Sequence, residues 1–209
     1  SMQSGVSQLE LAGLLSPCHT VHLVDRRGRG TAPASTTEQE VADLRAVLGA
    51  TGAHDVLGIS SGAIIAARAA LVEPRIRRLA LFEPPLAIDG SVRLDLLPRG
   101  MDALDADDIP RAMAIAMKVA EMGPAWLFGL PTPLLAAVSR RMLATDDARD
   151  PAPGAVHVRE LARALRGDFA VVPQNADTIA DFAAIDVPVL VLSGTRTRPY
   201  LRRAATAVA

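Results

Sequence analysis

Aromatic residues make up only 3% of this 209-residue chain, so the stacking platforms that hold single-stranded nucleic acid have little to be built from. Lysine is almost missing. Lys118 is the one lysine among 22 basic residues, and the net charge is −1. That balance argues against nucleic acid or an anionic membrane as the main partner. There is a single cysteine, Cys18, so no intrachain disulfide can form, and a reducing, cytoplasmic setting is expected. Cys18 stands in a turn without a partner motif and reads as structural. No apolar run reaches the length of a membrane span, and no charged stretch followed by an apolar run opens the chain, so neither anchor nor secretory leader is expected. C-x-x-C, H-E-x-x-H and the Walker loop are all missing, which leaves metal and nucleotide cofactors without support. Gly28-Arg29-Gly30 is too short, and wrongly followed, for a dinucleotide fingerprint. No cofactor is called for.

What is present is apolar patterning. Half of the chain is hydrophobic, and its length suits one domain with a sizeable core. Val6, Leu9, Leu11, Leu14 and Leu15 fit a short helix, with Pro17 just beyond it. Residues 20–24 are β-branched and apolar and predict a buried strand, which runs into the loop Asp25-Arg26-Arg27-Gly28-Arg29-Gly30. Three arginines there suggest phosphate binding, although pairing with local carboxylates is the plainer reading. Ser35 or Thr37 is expected to cap the next helix, with Glu38 or Glu40 completing a capping box. Val41, Leu44, Val47 and Leu48 form its apolar stripe, and Gly49 and Gly52 mark its end. A strand at 55–59, a helix stopping by Pro74 and a strand at 78–83 follow, the last cut off by Pro84-Pro85. This alternation predicts a mostly parallel sheet flanked by helices, an α/β fold.

The pattern changes after Pro85. Residues 89–181 carry helical spacing and no convincing strand. Pro110 can start one helix, with Met113, Met117 and Ala120 on a face. Leu134, Leu135, Val138 and Met142 suggest a second, and Val158, Leu161 and Leu165 a third, with residues 146–154 as a polar linker between them. Strand character returns at 187–192, followed by Gly194 and a last helix begun by Pro199. The division expected is a core of residues 1–86 and 184–209 around a helical cap insertion, residues 87–183.

The informative stretch is Gly58-Ile59-Ser60-Ser61-Gly62, a G-x-S-x-G between a predicted strand and a predicted helix. A serine on so sharp a turn sits in a strained conformation, and a Cβ two residues away on either side is expected to crowd it. The turn lifts the Ser60 hydroxyl clear of the sheet, and the Ser61 N–H, at the positive end of the helix, is placed to bind an oxyanion. Small residues are common in this alanine-rich chain, so a plain Gly/Ser turn fits the five residues equally well when they are taken alone.

Taken together, the Asp25–Gly30 loop after an early strand, the Gly58–Gly62 elbow, Glu83-Pro84-Pro85 ending the next strand, and the 187–192 strand after a helical insertion resemble the α/β-hydrolase superfamily, in its capped bacterial branch with a D-R-R-G-R-G loop. The resemblance covers nearly the whole chain. It implies a nucleophilic serine, an orienting carboxylate and a general-base histidine, in that chain order. Ser60 matches the nucleophile, and a relic elbow is the alternative. Gly194-Thr195-Arg196-Thr197-Arg198-Pro199 carries no carboxylate where the acid commonly sits, and Glu83 matches the position some members use instead. Glu83 could equally cap a turn or hold an arginine.

Of the four histidines, His19, His22 and His54 match no catalytic position, and His157 falls in the helical insertion. The family's base follows a further strand, beyond Ala209. Counting back from Asp25 places the second oxyanion N–H near Ser1 or Met2, so the N- and C-terminal parts of the fold are expected to lie outside this chain. The sheet edges this implies leave a homodimer open. The activity implied is hydrolysis of an ester-like bond, a carboxylic ester or lactone, in a small apolar molecule. Met113, Met117, Met122, Trp126 and Phe128 would serve as pocket wall or as cap core. A non-catalytic relative that binds a small molecule or partner is the other reading, and perhydrolysis a variant of the first.

Overall fold

Strand-forming residues at 55–59, 78–83 and 187–192 pair into one parallel sheet. The computed structural model describes residues 5–27, 35–151 and 156–209. In it β1 (Asp55–Ile59), β2 (Arg78–Phe82) and β3 (Val189–Leu192) lie in the order β1-β2-β3, with Ile59 opposite Phe82 and Phe82 opposite Leu192. Parallel neighbours require crossovers. The first is α3 (Ser61–Ala70). The second is the long helical segment between β2 and β3: α4 (Leu97–Asp105), α5 (Ile109–Val119), α6 (Ala125–Phe128), α7 (Thr132–Asp147), α8 (Val158–Arg163) and α9 (Leu165–Gln174). Ahead of the sheet run α1 (Leu9–Leu15) and α2 (Thr37–Thr51), and α10 (Pro199–Val208) follows it. None of these helices is long and apolar enough to cross a membrane.

α3 is apolar on nearly every side because it is covered on nearly every side. Ala63, Ile64, Ile65, Ala66, Ala67 and Ala69 are buried between the sheet, through Leu79 and Leu81, and α2 and α9, through Val41, Leu48, Val171 and Val172. Each fully buried isoleucine or leucine contributes about 1.5–3 kcal/mol. A second cluster, with Leu104, Ile109, Met113, Leu143, Leu165 and Phe169, is built by the helices between β2 and β3. α9 belongs to both, with Leu165 and Phe169 in one and Val171 and Val172 in the other.

Several expectations shift. Residues 20–24 form no strand. They make no ladder bond among the described residues, and Leu23 and Val24 are exposed, since β-branched sequence without a neighbouring edge to pair with has nothing to hold it as a strand. The α2 cap is Thr36, with Gln39 completing the box, because Ser35 gives its hydroxyl to Glu40 at 2.6 Å and Thr37 gives its own to Gln174 at 2.8 Å. On α7 the buried face is Leu135, Ala136, Ser139 and Leu143, while Leu134, Val138 and Met142 stay half-exposed. Small residues at 136 and 139 let α7 approach α5, where Ala114 packs on Leu135 and Ala136 and Ser139 contacts the Met117 sulfur at 3.9 Å. The third expected helix breaks at Ala164 into α8 and α9, and residues 146–147 finish α7 and do not begin a linker.

Candidate active site

The elbow forms as its glycine pattern requires, with one exception. β1 ends at Ile59, Ser60 takes φ 54° and ψ −129°, and α3 begins at Ser61. The Ser60 N–H still donates to Phe82 O at 2.9 Å, so the turn starts flush with the sheet. A Cβ on Gly58 would lie 2.6 Å from both Ala63 Cα and Gly62 O, which no relaxation of a side chain could relieve. Gly62 is different. A Cβ there meets nothing within 4 Å, so the expectation that both glycines are sterically required holds only for Gly58.

Ser60 and Glu83 leave neighbouring strands at the same level, one past the Ile59–Phe82 pair. Both have a positive φ, Glu83 at 48°. The Glu83 N–H donates to Leu192 O at 3.0 Å, and the Glu83 carboxylate accepts the Gly194 N–H, also at 3.0 Å. Three strand ends therefore converge at the carboxyl edge of the sheet, where open α/β sheets hold their ligands. Tyr200, just beyond, has its phenol pushed up to about 12 by burial and by the charges of Glu121 and Glu83. Arg198, in the loop after β3, lies over the Phe128 ring at 5.3 Å and donates to Gly123 O, which joins that loop to α6.

Ser61 is the most tightly held residue of the turn. Its side chain is buried, donates to Asp168 Oδ1 at 2.5 Å and accepts from Arg26 Nη1 at 2.7 Å. Arg26 makes two parallel bonds to Glu40, each 2.9 Å. Burial by itself would lower the Arg26 pKa, but the bonds to Glu40 and the nearby Asp168 raise it. Burial likewise works against the Asp168 carboxylate, while the Arg26 guanidinium and the Ser61 hydroxyl favour it. Arg27 pairs with Asp43 at 2.5 Å, so both described arginines of the loop meet local carboxylates.

Of the residues predicted for the site, Ser60, Ser61 and Glu83 come together, and Met2 lies outside the described residues. No histidine is hydrogen-bonded to Ser60 or Glu83 among the described residues. His19 and His22 are exposed, His54 pairs with Asp55 at 2.9 Å, and His157 sits 3.5 Å from Asp146. Asp146, Asp147 and His157 are grouped closely enough to hold a metal, but Asp147 is taken by Arg159 and Asp146 accepts the Val158 N–H. Of the apolar wall residues, Met113 is core, while Met122 and Trp126 are exposed. A concavity of about 520 Å³ lies along α10, lined by Thr197, Pro199, Arg202 and Arg203, and does not include the strand-end residues.

The family model described as "Alpha/beta hydrolase family" matches residues 4–209. The chain belongs to the alpha/beta hydrolase family. Members of that family are usually hydrolytic enzymes. The crystal structure of an alpha/beta hydrolase from Sphaerobacter thermophilus DSM 20745 is similar at 32% identity and a TM-score of 0.76, covering 100% of this chain and 77% of that one. An N-formylmaleamic acid deformylase from Pseudomonas putida S16 shares the fold at 17% identity and a TM-score of 0.56, with 100% and 77% covered. An alpha/beta hydrolase enzyme from a Medee basin deep-sea metagenome library does so at 19% identity and a TM-score of 0.64, with 99% and 74% covered. No curated protein matches the chain.

Two features of this alpha/beta hydrolase escaped the sequence reading. The Gly194 N–H as partner of Glu83 has no sequence signal, since it depends on how two strand ends meet. Asp168 does have one. It falls with Leu165, Phe169 and Val172 at i, i+3, i+4 and i+7, a carboxylate on the apolar stripe of its helix.

Proposed function

We infer that this chain is a serine hydrolase acting on an ester-like bond, a carboxylic ester or lactone, in a small apolar molecule. The observation that carries the reading is the sharp turn at Ser60, φ 54° and ψ −129°, between the end of β1 and the start of α3, beside Glu83 at the end of β2. Strained backbone at a non-glycine residue persists where the surroundings enforce it, and such positions gather at active sites. Ser60 Oγ attacks the acyl carbon and passes its proton to a histidine that Glu83 orients. That histidine lies outside positions 1–209 and is none of the four histidines His19, His22, His54 and His157. The oxyanion is held by the Ser61 N–H and a second N–H near Met2. The histidine returns the proton to the departing alkoxide, and water then cleaves the acyl-enzyme to the acid and restores Ser60. Residues 87–183 act as a cap over this edge of the sheet. A cytoplasmic setting fits the single exposed cysteine.

A second reading is a non-catalytic relative that binds a small molecule or a partner. It is favoured by Glu83 Oε1, which is engaged by the Gly194 N–H as a purely structural carboxylate would be. Intact-mass labelling of the full-length protein with a fluorophosphonate, beside Ser60→Ala, separates the two. A single adduct lost in the variant supports the hydrolase, and no adduct on folded protein leaves the binding reading in front.

A further inference from the structure

In the proposed reaction Ser61 acts through its main chain, yet its side chain is held harder than any other at the elbow. Only 1% of the residue is exposed. Its hydroxyl lies between Asp168 Oδ1 at 2.5 Å and Arg26 Nη1 at 2.7 Å, donating to the first and accepting from the second. Arg26 is locked in turn by its two-point contact with Glu40, and Glu40 by the Ser35 hydroxyl. The groups come from three separate places: the loop at Arg26, the first turn of α2, and α9. Asp168 also sits on the apolar face of its helix, where a carboxylate is costly unless it has partners.

We propose that Asp168 and Arg26 are positioning residues that fix, through the Ser61 hydroxyl, the direction of the Ser61 N–H toward the oxyanion. This rests on the Ser60 hydrolase reading. Ser61 is the first residue of α3, and helix ends are where the backbone frays. An oxyanion donor helps only when it lies about 2.7–3.1 Å from the charge that develops, and a misplacement of about 1 Å can cost on the order of a hundredfold. Gripping the Ser61 hydroxyl, three bonds from that N–H, restrains the residue at the helix start. Because Asp168 lies on α9, the grip also ties the helices between β2 and β3 to the elbow.

The test uses the full-length protein with Ser61→Ala, Asp168→Asn and Asp168→Ala, a fluorophosphonate and a panel of p-nitrophenyl esters. Ser61→Ala keeps the main-chain N–H and leaves Arg26 and Asp168 facing each other, 3.5 Å apart in the native arrangement. The expected result is a roughly tenfold lower kcat and labelling rate with KM unchanged, at a thermal midpoint close to the wild type. Asp168→Asn, which still accepts the hydroxyl, should fall between wild type and Asp168→Ala. Should Ser61→Ala fail to fold, the near-isosteric Asp168→Asn is read by the same criteria. Wild-type kcat and labelling rate in the folded variants, or a rise in KM with kcat retained, would overturn the proposal while the Ser60 reading stands. If wild-type protein takes no label, the Ser60 reading falls and this one with it.

Discussion

The Glu83 carboxylate accepts the main-chain N–H of Gly194 at 3.0 Å, fastening the residue that leaves β2 to the loop that leaves β3. A Cβ on Gly194 would stand 3.2 Å from Glu83 Oε1, close enough to push the carboxylate aside. On the proposed mechanism Gly194→Ala should lower kcat about tenfold, because a displaced orienting acid misaligns the base. Glu83→Gln should cost about a thousandfold or more, since the imidazolium loses its counter-charge. Steady-state kinetics on an ester substrate checks both, and wild-type activity in Glu83→Gln would remove Glu83 from the mechanism.

The two elbow glycines should respond in opposite ways. Gly58→Ala forces a methyl against the backbone of Gly62 and Ala63, and should destabilise by about 1–3 kcal/mol, as overpacked sites do. Gly62→Ala enters open space in a helix, and should be neutral or stabilising by up to about 1 kcal/mol. Urea denaturation of both variants decides it. Equal losses would mean that Gly62 is constrained by something other than contact.

Glu73 precedes Pro74 in the turn between α3 and β2, and its buried carboxylate holds three groups. Hydrogen bonds from the Arg75 side chain, then from the Arg75 N–H, and then from Arg45 bring its pKa down from 4.5 to about 2. A carboxyl depressed on folding stabilises the protein fully above its unfolded pKa and loses that contribution as pH falls toward the folded value. The thermal midpoint should therefore decline as pH drops from about 4.5 to about 2, and the part due to this group should vanish in Glu73→Gln. Parallel acid profiles in the two proteins would show that the unfolded chain holds Glu73 equally well.

Tyr200 is the only tyrosine, so its ionisation can be followed by absorbance without interference from another phenol. Burial, followed by the charges of Glu121 and Glu83, should hold it neutral to about pH 12 in the native protein, against an ordinary value of 10 in urea. Glu83→Gln removes one of the opposing charges, and the native titration should move down. An unmoved curve would place Glu83 too far from Tyr200 to be felt.

What could be read from sequence was what depends on local order. The strand–elbow–helix at residues 55–70, the change to helices after Pro85 and the return at 189–192 all rest on short-range pattern, and all are present. The misreadings share a different cause. Residues 20–24 look like a strand, but a strand exists only against a neighbour. Leu134, Val138 and Met142 look like the inner face of α7, but the helix turns its smaller residues inward to reach α5. At the site, Ser60 and Glu83 were visible as strand-end residues. The Arg26–Ser61–Asp168 contacts span 142 positions, from 26 to 168, and come into view only when the loop, the elbow and α9 are packed together.

The backbone of Ser60 has a consequence for how this chain keeps its serine. At φ 54° a glycine would sit without steric cost, whereas any side chain there carries about 1–3 kcal/mol of strain. Glycine loses about 0.5–1 kcal/mol more backbone entropy on folding than alanine, so the strain relieved at position 60 would be only partly offset by that loss. On the proposed mechanism, a serine kept at that angle is a place where stability is yielded to chemistry.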